Sequence, residues 1–278
     1  MPRAGAQTVL HVCARLVIFG ALPFFMVACG RAPRVALPAG AGVSFPDSAG
    51  AYEQAVRDCR SIKSMTASLL LSGRAGSTKI SARIDGGFAA DPARMRLEGF
   101  PRIHFGGKPF FILVARAADA TLLLTRDNRV LRDAPPDAIV EALAGVALSP
   151  DEMRALVSGC GLGDGPATEG RSYDHGWASV RVAAATIFLR RSGTEWRVAG
   201  ARRGALAVEY LTFSGGRPTA AHLHTLSSAG VLPADLTIRI SDVETGAALQ
   251  NAVFTVDVPR DATPLTIDEL RKAGPLGG

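Results

Sequence analysis

The amino-acid sequence predicts a mainly β protein of the α+β class, in which half-buried antiparallel strands are accompanied by a few short helices. Apolar and polar residues alternate with a period of two over much of residues 64–98, which is typical of strands with one buried face. Further alternating stretches in the second half of the chain are separated by glycine turns. A helical period is confined to residues 48–61, residues 135–159 and the C-terminus.

A secretory leader is predicted at residues 1–28. The basic residues Arg3 and Arg15 precede an uncharged apolar run over residues 16–27, which is shorter than the ~20 residues of a membrane-spanning helix. Cys29 follows a small residue at the end of this run. The arrangement resembles the lipobox of bacterial lipoproteins, in which the cysteine is lipidated and becomes the first residue of the mature chain. The alternative is an ordinary signal peptide followed by a chance cysteine.

The lipobox resemblance implies that the mature protein is anchored to a membrane through Cys29. A diacylglyceryl group and an N-linked acyl chain such as palmitate meet the requirement of more than one chain for stable anchoring. Gly30 stands where an Asp retains many lipoproteins in the inner membrane, which favours the inner face of the outer membrane. Residues 29–47 are rich in Gly, Ala and Pro, and they predict a flexible tether that follows the lipidated cysteine. A single domain over residues 48–260 and a short helix with a tail over residues 261–278 complete the predicted organisation.

The charge of the chain argues against a nucleic-acid-binding function. The formal net charge of +6 falls to +4 when the leader is removed, because the leader holds two arginines and no acidic residue. Lys and Arg form no dense patch interleaved with aromatic residues, which nucleic-acid-binding domains usually carry. A mild positive charge suits the anionic surface of a nearby membrane.

Two cysteines, Cys59 and Cys160, remain in the mature chain besides Cys29. The leader implies an oxidising compartment, in which a Cys59–Cys160 disulfide is expected; the alternative is two buried free thiols. Tyr52, Val56 and Cys59 share one face of the first predicted helix, so Cys59 points toward the core. Neither cysteine has a second Cys or His at the spacing of a metal site.

The first half of the domain is predicted to contain five strands followed by two helices. The strands cover residues 64–72, 79–84, 94–98, 110–115 and 121–125. The last two are apolar enough to be covered on both faces. Pro136 opens the first helix and Gly145 ends it. Ser149 and Glu152 form the capping box of the second helix, which ends at Gly159.

The second half of the domain is predicted to consist mostly of strands. Residues 159–170 carry alternating glycines and predict a flexible connection, since the stretch follows a helix and not the strand that a dinucleotide-binding fingerprint requires. Strands are then predicted at residues 178–190, 195–200, 205–213, 218–226, 235–243 and 252–258. Thr266 and Glu269 form a capping box for a short terminal helix.

The sequence contains no nucleophile elbow, zinc motif or phosphate-binding loop, so no catalytic residue, cofactor or metal is predicted. His222 and His224 lie two apart on a predicted strand and share a face, where a metal ion would need a third converging ligand. We interpret them instead as exposed strand histidines. Asp174 and His175 lie in a loop without a visible Ser or Cys partner, and we interpret them as surface residues. An enzyme would need a site assembled from distant strands.

An apolar loop is predicted over residues 100–109. Phe100, Ile103 and Phe105 are large apolar residues in a stretch where polar ones are usual. Either this loop folds back onto the core, or its tip contacts a membrane or a ligand.

The order of these elements resembles the LolA/LolB superfamily of lipoprotein-sorting carriers, and its lipidated LolB-like members in particular. The resemblance covers residues 51–159. It is strongest over residues 116–159, where a strand pair precedes a helix, a Gly-Val-Ala-Leu-Ser-Pro corner and a second helix that ends in Gly. It implies a curved, incompletely closed antiparallel β-barrel with a lid of short helices over its concave side. An apolar loop between the third and fourth strands of such carriers helps to deliver cargo, which assigns Ile103 and Phe105 to a membrane-facing loop.

The resemblance further implies a protein without enzymatic activity that binds the acyl chains of membrane lipids or lipoproteins between its sheet and its helices. The residues expected to line this cavity are Leu69, Leu71, Ile80, Ile84, Met95, Leu97, Leu113 and Leu122, with Leu143, Met153 and Leu156 from the lid. The alternative for each is ordinary core packing. Three functions compete: a lipid or lipoprotein carrier, a structural or adaptor lipoprotein that binds another envelope protein, and an envelope hydrolase.

Overall fold

The computed structural model of the protein describes residues 36–101, 107–226, 233–273 and 276. The strands are β1 (Val43–Ser44), β2 (Ser64–Ala75), β3 (Thr78–Ala89), β4 (Arg94–Pro101), β5 (Phe111–Arg116), β6 (Asp119–Leu124), β7 (Arg129–Ala134), β8 (Ala167–Tyr173), β9 (Trp177–Val182), β10 (Ala185–Ser192), β11 (Glu195–Arg203), β12 (Leu206–Ser214), β13 (Arg217–Thr225), β14 (Ala234–Thr245) and β15 (Thr263–Pro264). The helices are α1 (Ser48–Ser61), α2 (Pro136–Ala144), α3 (Pro150–Ser158) and α4 (Ile267–Ala273).

All of these strands belong to one sheet, in the order β1-β8-β9-β10-β11-β12-β13-β14-β2-β3-β4-β5-β6-β7-β15. Within the described residues, neighbouring strands run antiparallel except β7 and β15, and the sheet is not closed because β1 and β15 lie at its two edges. The long pairing of β2 with β14 joins the two halves of the chain. These observations confirm the predicted mainly β class, with an incompletely closed antiparallel sheet and short helices.

The main apolar core lies between one face of the sheet and the helices. In β2 the buried residues Met65, Ala67 and Leu69 alternate with half-buried neighbours, as the predicted period of two requires. Helix α1 has the predicted bounds and buries Tyr52 and Cys59 in this core. The strand alternation and the helical stripe therefore meet on the same side of the sheet, which we call the inner face.

The corner between α2 and α3 depends on Gly145. This residue has a φ of +75°, and a Cβ atom added to it would lie 2.8 Å from the Cβ atom of Ala75. A left-handed and closely packed position of this kind favours glycine. After the corner, Ser149 and Glu152 form the predicted capping box, in which each side chain accepts a hydrogen bond from the other residue's backbone N–H.

Residues 252–258, which the sequence predicts as a strand, are not part of the sheet. Asn251–Phe254 forms a 3₁₀ helix. Arg96 of β4 donates hydrogen bonds to the carbonyl oxygens of Val253 and Thr255, at 3.0 and 2.7 Å. Arginine side chains thus satisfy backbone groups that a strand would pair with a neighbouring strand. The apolar alternation of this segment led to a wrong prediction.

The same segment covers the outer face of β4 and β5, opposite the main core. Phe254 is fully buried there with Ala89 and Val114. This small second core accounts for the nearly continuous apolar sequence of residues 110–115, and it confirms that β5 is covered on both faces.

The predicted strand over residues 178–190 is wrong, because these residues contribute to two strands. Strands β9 and β10 form a hairpin that turns at Ala183, which has a φ of +48°. Positive φ is uncommon for a residue with a Cβ atom, and no Gly or Pro marks the turn in the sequence. The expected flexible connection over residues 159–170 is also shorter than predicted, since its end belongs to β8, which pairs with β9 and β1.

Part of the predicted tether is packed against the sheet. Leu37 is buried on the outer face with Trp177, Phe188 and Ala199. Val43–Ser44 forms the edge strand β1 and pairs with β8. These contacts mean that the second half of the tether is not the free coil that its composition predicts.

The predicted leader over residues 1–28 and the predicted lipidation site Cys29 lie outside the described residues. Of the helices in the described part of the chain, none combines the length and the apolar character needed to cross a membrane.

Candidate functional site

The inner face of the sheet and the helices α2 and α3 enclose an apolar cavity of about 40 Å³. The residues that line it are Leu69, Leu71, Ile84, Leu97, Phe111, Val140, Leu143, Ala144, Val146, Leu148, Met153, Leu223, Leu236, Ile238 and Leu276. None of these described residues has a polar side chain. The lining therefore suits an alkyl chain, which needs dispersion contacts and no hydrogen-bond partner.

Some of the predicted cavity residues line this space and others do not. Those that line it are Leu69, Leu71, Ile84, Leu97, Leu143 and Met153. Those that lie in the surrounding core instead are Ile80, Met95, Leu113, Leu122 and Leu156. Sequence reasoning missed Leu223, Leu236 and Ile238, which reach the cavity because β14 pairs with β2. The apolar alternation of these strands is visible in the sequence and predicts an inward-facing side. It does not show that β14 pairs with β2, which is what brings these residues to the cavity.

Helix α3 is fastened to the sheet at its C-terminal end. The hydroxyl of Tyr210 donates a hydrogen bond to the carbonyl oxygen of Leu156 at 3.0 Å and accepts one from the N–H of Gly161 at 3.1 Å. Burial raises the pKa of this hydroxyl, so that it remains a donor. Beside it, Cys160 forms a disulfide with Cys59 of α1, with Cα atoms 5.6 Å apart. The predicted cysteine pair thus ties the end of α3 to α1.

The corner between α2 and α3 is held by Arg203 of β11. Its Nη2 atom donates to the carbonyl oxygen of Ala147 at 2.6 Å, and its Nε atom lies 2.9 Å from Oε1 of Glu152. Glu152 therefore has two roles, since it caps α3 and also forms an ion pair with the sheet.

Helix α2 has weaker polar connections than α3. In the part of the chain that the structure describes, its side chains form one ion pair, in which Glu141 lies 3.4 Å from Arg271 of α4. Exposed pairs of this kind contribute about 0–1 kcal/mol to stability. The other contacts of α2 are apolar and involve Ile139, Val140 and Leu143. Helix α2 is therefore the part of the lid that polar contacts restrain least.

Helix α4, which lies beside α2, begins with the predicted capping box. The N–H of Thr266 donates to Oε2 of Glu269 at 2.9 Å, and Arg129 of β7 lies 3.0 Å from Oε1 of the same carboxylate. The hydrogen bond from Thr266 and the contact with Arg129 lower the pKa of Glu269 to about 2. The cap of α4 is therefore charged at neutral pH.

The prediction that His222 and His224 are exposed is wrong, since the side chain of His222 is only 6% exposed and His224 is half-buried. Its Nδ1 atom lies 3.5 Å from Oε2 of Glu209, and its Nε2 atom lies 2.8 Å from Oδ1 of Asp235. Hydrogen bonding to Glu209 raises the pKa of His222, whereas burial lowers the pKa of His224. The two rings stack with centroids 4.9 Å apart. Sequence reasoning missed the two carboxylates because they lie on the neighbouring strands.

The remaining candidates from the sequence are placed as follows. Asp174 and His175 lie in an exposed 3₁₀ turn, as predicted. The cysteines of the disulfide offer no free thiol as a nucleophile. The candidate membrane-facing residues Ile103 and Phe105 lie outside the described residues.

Comparisons with known proteins bear on the fold. No protein-family model and no curated protein matches the chain. A DUF1329 family protein from Desulfovibrio piger aligns with a TM-score of 0.50 and 10% identity, over 74% of this chain and 96% of that chain. Lower TM-scores are found for a domain from Vibrio parahaemolyticus assigned to outer membrane lipoprotein sorting (0.45; 7% identity; 74% and 96% covered) and for the lipoprotein LppX from Mycobacterium tuberculosis (0.30; 10% identity; 78% and 100% covered). At these identities the similarity concerns the fold alone, and the chain has the open, helix-lined antiparallel fold that its sequence predicts from the LolA/LolB resemblance.

Proposed function

We propose that this protein is a lipid-anchored envelope lipoprotein, without enzymatic activity, that takes up an acyl chain of a lipid or lipoprotein between its sheet and helix α2. The observation that carries the proposal is the lining of the enclosed cavity, which consists of apolar side chains only. A head group would find no hydrogen-bond partner there, whereas each buried methylene of an alkyl chain contributes about 0.8 kcal/mol.

Uptake requires the cavity to expand. Its volume of about 40 Å³ is far below the roughly 300–1,000 Å³ of typical ligand pockets. Expansion by a movement of α2 is favoured over a movement of α3, because α3 is held by Tyr210, by the disulfide and by the ion pair of Glu152. Helix α2 would then act as the movable part of the lid.

The free energies involved permit such a movement. Exposure of Ile139, Val140 and Leu143 costs at most about 1.5–3 kcal/mol each, and a bound acyl chain covers these side chains again. A chain of about 16 carbons gains roughly 13 kcal/mol by burial, before the cost of association is subtracted. This free energy of acyl-chain burial is large enough to offset the free-energy cost of moving α2 away from the sheet.

Several segments that border the cavity meet at one end of the sheet. Gly145 of the α2–α3 corner packs against Ala75, and the N–H of Gly76 donates to the carbonyl oxygen of Pro233 at 2.7 Å. Strand β4 ends at Pro101, which pairs with Ala82 in the first half of β3. We propose that this end faces the membrane, with Ile103 and Phe105 as contact residues and the lipid on Cys29 as the anchor.

Cross-linking to a photoactivatable phospholipid tests the proposed uptake. The full-length lipidated protein would be placed in vesicles that contain a phospholipid with a diazirine near the end of one acyl chain, and the labelled peptides would be identified by mass spectrometry. We expect labels on α2 and on β2 to β4. The variant Leu143→Gln should lose most of the label, whereas Leu226→Gln, at an exposed position outside the cavity, should retain it. Equal labelling of both variants, or no label in the interior of the wild-type protein, would contradict uptake.

A structural or adaptor lipoprotein is the second candidate function. The observation that favours it is the small volume of the cavity, which the protein's own side chains nearly fill. Under this proposal the interior is ordinary core and the surface binds another envelope protein. Two results together would support this function. The wild-type protein would carry no label in its interior, and the wild type and the Leu143→Met variant would capture the same envelope protein.

A further inference from the structure

Four ionisable side chains converge on the outer face of strands β12, β13 and β14, away from the lipid-binding interior. We call Glu209, His222, His224 and Asp235 the histidine cluster. Glu209 lies directly opposite His222 in the pairing of β12 with β13, and Asp235 lies opposite His224 in the pairing of β13 with β14. The residues between them along these strands, such as Leu223, point into the main core. The cluster therefore lies on the opposite side of the sheet from the acyl-chain cavity.

Three members of the cluster have the spacing of potential metal ligands. One ligand atom from each of Glu209, His222 and His224 can be chosen so that all three lie within 4.8 Å of one another. Zinc binds imidazole nitrogen and carboxylate oxygen at about 2.0–2.2 Å, which places the ligand atoms of a tetrahedral site about 3.4 Å apart. The Nδ1 atom of His222 and the Oε2 atom of Glu209, 3.5 Å apart, already have close to that separation.

In the neutral tautomer of His222 whose Nε2 atom carries the proton, the cluster presents acceptor atoms to a cation. The Nε2 atom of His222 lies 2.8 Å from Asp235, so in the neutral imidazole this nitrogen carries the proton and donates it. The Nδ1 lone pair of His222 then faces the carboxylate of Glu209 at 3.5 Å. The Nδ1 atom of His224 is buried and has no hydrogen-bond partner in the described part of the protein. A cation placed among these atoms would satisfy all of them.

We propose that Glu209, His222 and His224 bind a divalent transition-metal ion of the zinc type, and that Asp235 positions His222 for this role. Two imidazoles and one carboxylate suit zinc and its neighbours and not the hard cations Mg²⁺ or Ca²⁺, which prefer oxygen ligands. A carboxylate on the far nitrogen of a ligating histidine is the usual arrangement in zinc sites. Three protein ligands leave a fourth coordination position for water or for a group from a partner.

The surroundings of the cluster permit an ion to enter and limit how tightly it is held. The side chain of Asp235 is 59% exposed, so the cluster has a path to solvent. Arg202 of β11 pairs with Ala207 of β12, and Ala207 pairs with His224 of β13. Arg202 and His224 therefore lie two strands apart on the same face of the sheet, and the positive charge of Arg202 lowers the pKa of His224 further. This charge opposes a second cation, and we therefore expect a dissociation constant in the micromolar range, weaker than that of closed structural zinc sites.

Metal titration of the full-length protein in detergent tests the site. After treatment with a chelator, Zn²⁺ would be added in competition with a chromophoric chelator, on protein without a histidine tag. We expect one ion per chain, a loss of affinity of at least about 10-fold for Glu209→Gln and for His224→Gln, and a loss of about 10–100-fold for Asp235→Asn. His175→Asn, at the exposed 3₁₀ turn, should bind as the wild type does. X-ray absorption at the zinc edge should show two imidazole ligands.

Two results would overturn the proposal. One is the absence of zinc binding at Zn²⁺ concentrations up to about 100 μM, and the other is an unchanged affinity in the Glu209→Gln/His224→Gln double variant. Either would leave His222 hydrogen-bonded between two carboxylates with no metal role. Circular dichroism of each variant checks that it is folded; Glu209→Gln keeps the shape of the side chain, and His224 is only partly buried, so both are expected to fold.

Discussion

The hydroxyl of Tyr210 and the carbonyl oxygen of Leu156 lie 3.0 Å apart, and this hydrogen bond connects the inner face of the sheet to the last turn of α3. The carbonyl groups in the last turn of a helix have no partner within the helix, so a buried side chain that reaches one of them replaces a solvent contact. The same hydroxyl accepts from Gly161, just beyond the helix. One side chain thus fixes both the end of α3 and the chain that leaves it.

Replacement of Tyr210 by Phe should destabilise the protein without changing its fold. The ring would remain buried, but the N–H of Gly161 and the carbonyl of Leu156 would lose their partner in a region without solvent. Unsatisfied buried groups cost about 1–3 kcal/mol, which is the expected loss in the free energy of unfolding. Urea denaturation followed by fluorescence measures it. Phe213→Leu, at a partly buried ring that contacts Tyr210, is the control for ring packing, and an equal loss in both variants would count against a hydrogen-bond effect.

Removal of the disulfide should cost more than removal of the Tyr210 hydrogen bond. The bond joins residues 101 positions apart, and closing a loop of this length restricts the unfolded chain strongly. We expect the Cys59→Ala/Cys160→Ala variant to lose about 2–4 kcal/mol in the free energy of unfolding. Chemical denaturation with and without a reducing agent measures this loss. Reduction should lower the stability of the wild-type protein to that of the variant, and a wild-type protein that is insensitive to complete reduction would contradict the prediction.

The cap of α4 should weaken only in strong acid. The pKa of Glu269 is lowered from 4.5 to about 2 in the folded protein, so its carboxylate stabilises the fold above pH 4.5, and this contribution is lost as the pH falls through about 2. The melting temperature of Glu269→Gln should therefore lie below that of the wild type at pH 5 to 7. The difference should shrink between pH 4.5 and 2. A difference that is constant over this range would show that the charge of Glu269 is not responsible.

The local signals in the sequence were sufficient for the helices and for the inward orientation of Cys59. Tyr52, Val56 and Cys59 share one helical face, and this places α1 with its observed bounds and turns the thiol of Cys59 inward. Gly145 and the Ser149 capping box set the corner of the lid for equally local reasons, a left-handed φ and two reciprocal hydrogen bonds. Features of this kind depend on residues within one or two helical turns, which a single sequence displays.

The features that sequence reasoning missed depend on contacts between distant segments. The turn at Ala183 has no glycine, and the pairing of β9 with β10 imposes its positive φ. The alternation around Phe254 is typical of a strand, but Arg96 takes the carbonyl groups that a neighbouring strand would have needed. His222 is buried because Glu209 and Asp235 arrive from the strands on either side. The register of a sheet decides such contacts, and apolar periodicity does not specify which strands are neighbours.

If Cys29 is lipidated as proposed, the burial of Leu37 limits how far the domain can stand from the membrane. Leu37 lies eight positions after Cys29 in the sequence, and a chain of this length spans at most roughly 28 Å even when fully extended. Because Leu37 is packed beside Trp177 and Phe188, the segment that connects it to Cys29 would join the domain at the outer face of β9 to β11 and not at the edge of the sheet. A lipoprotein held in this way could rotate about that point of attachment. Its reach toward a partner or a second bilayer would be limited to the length of residues 30–36 plus the diameter of the domain.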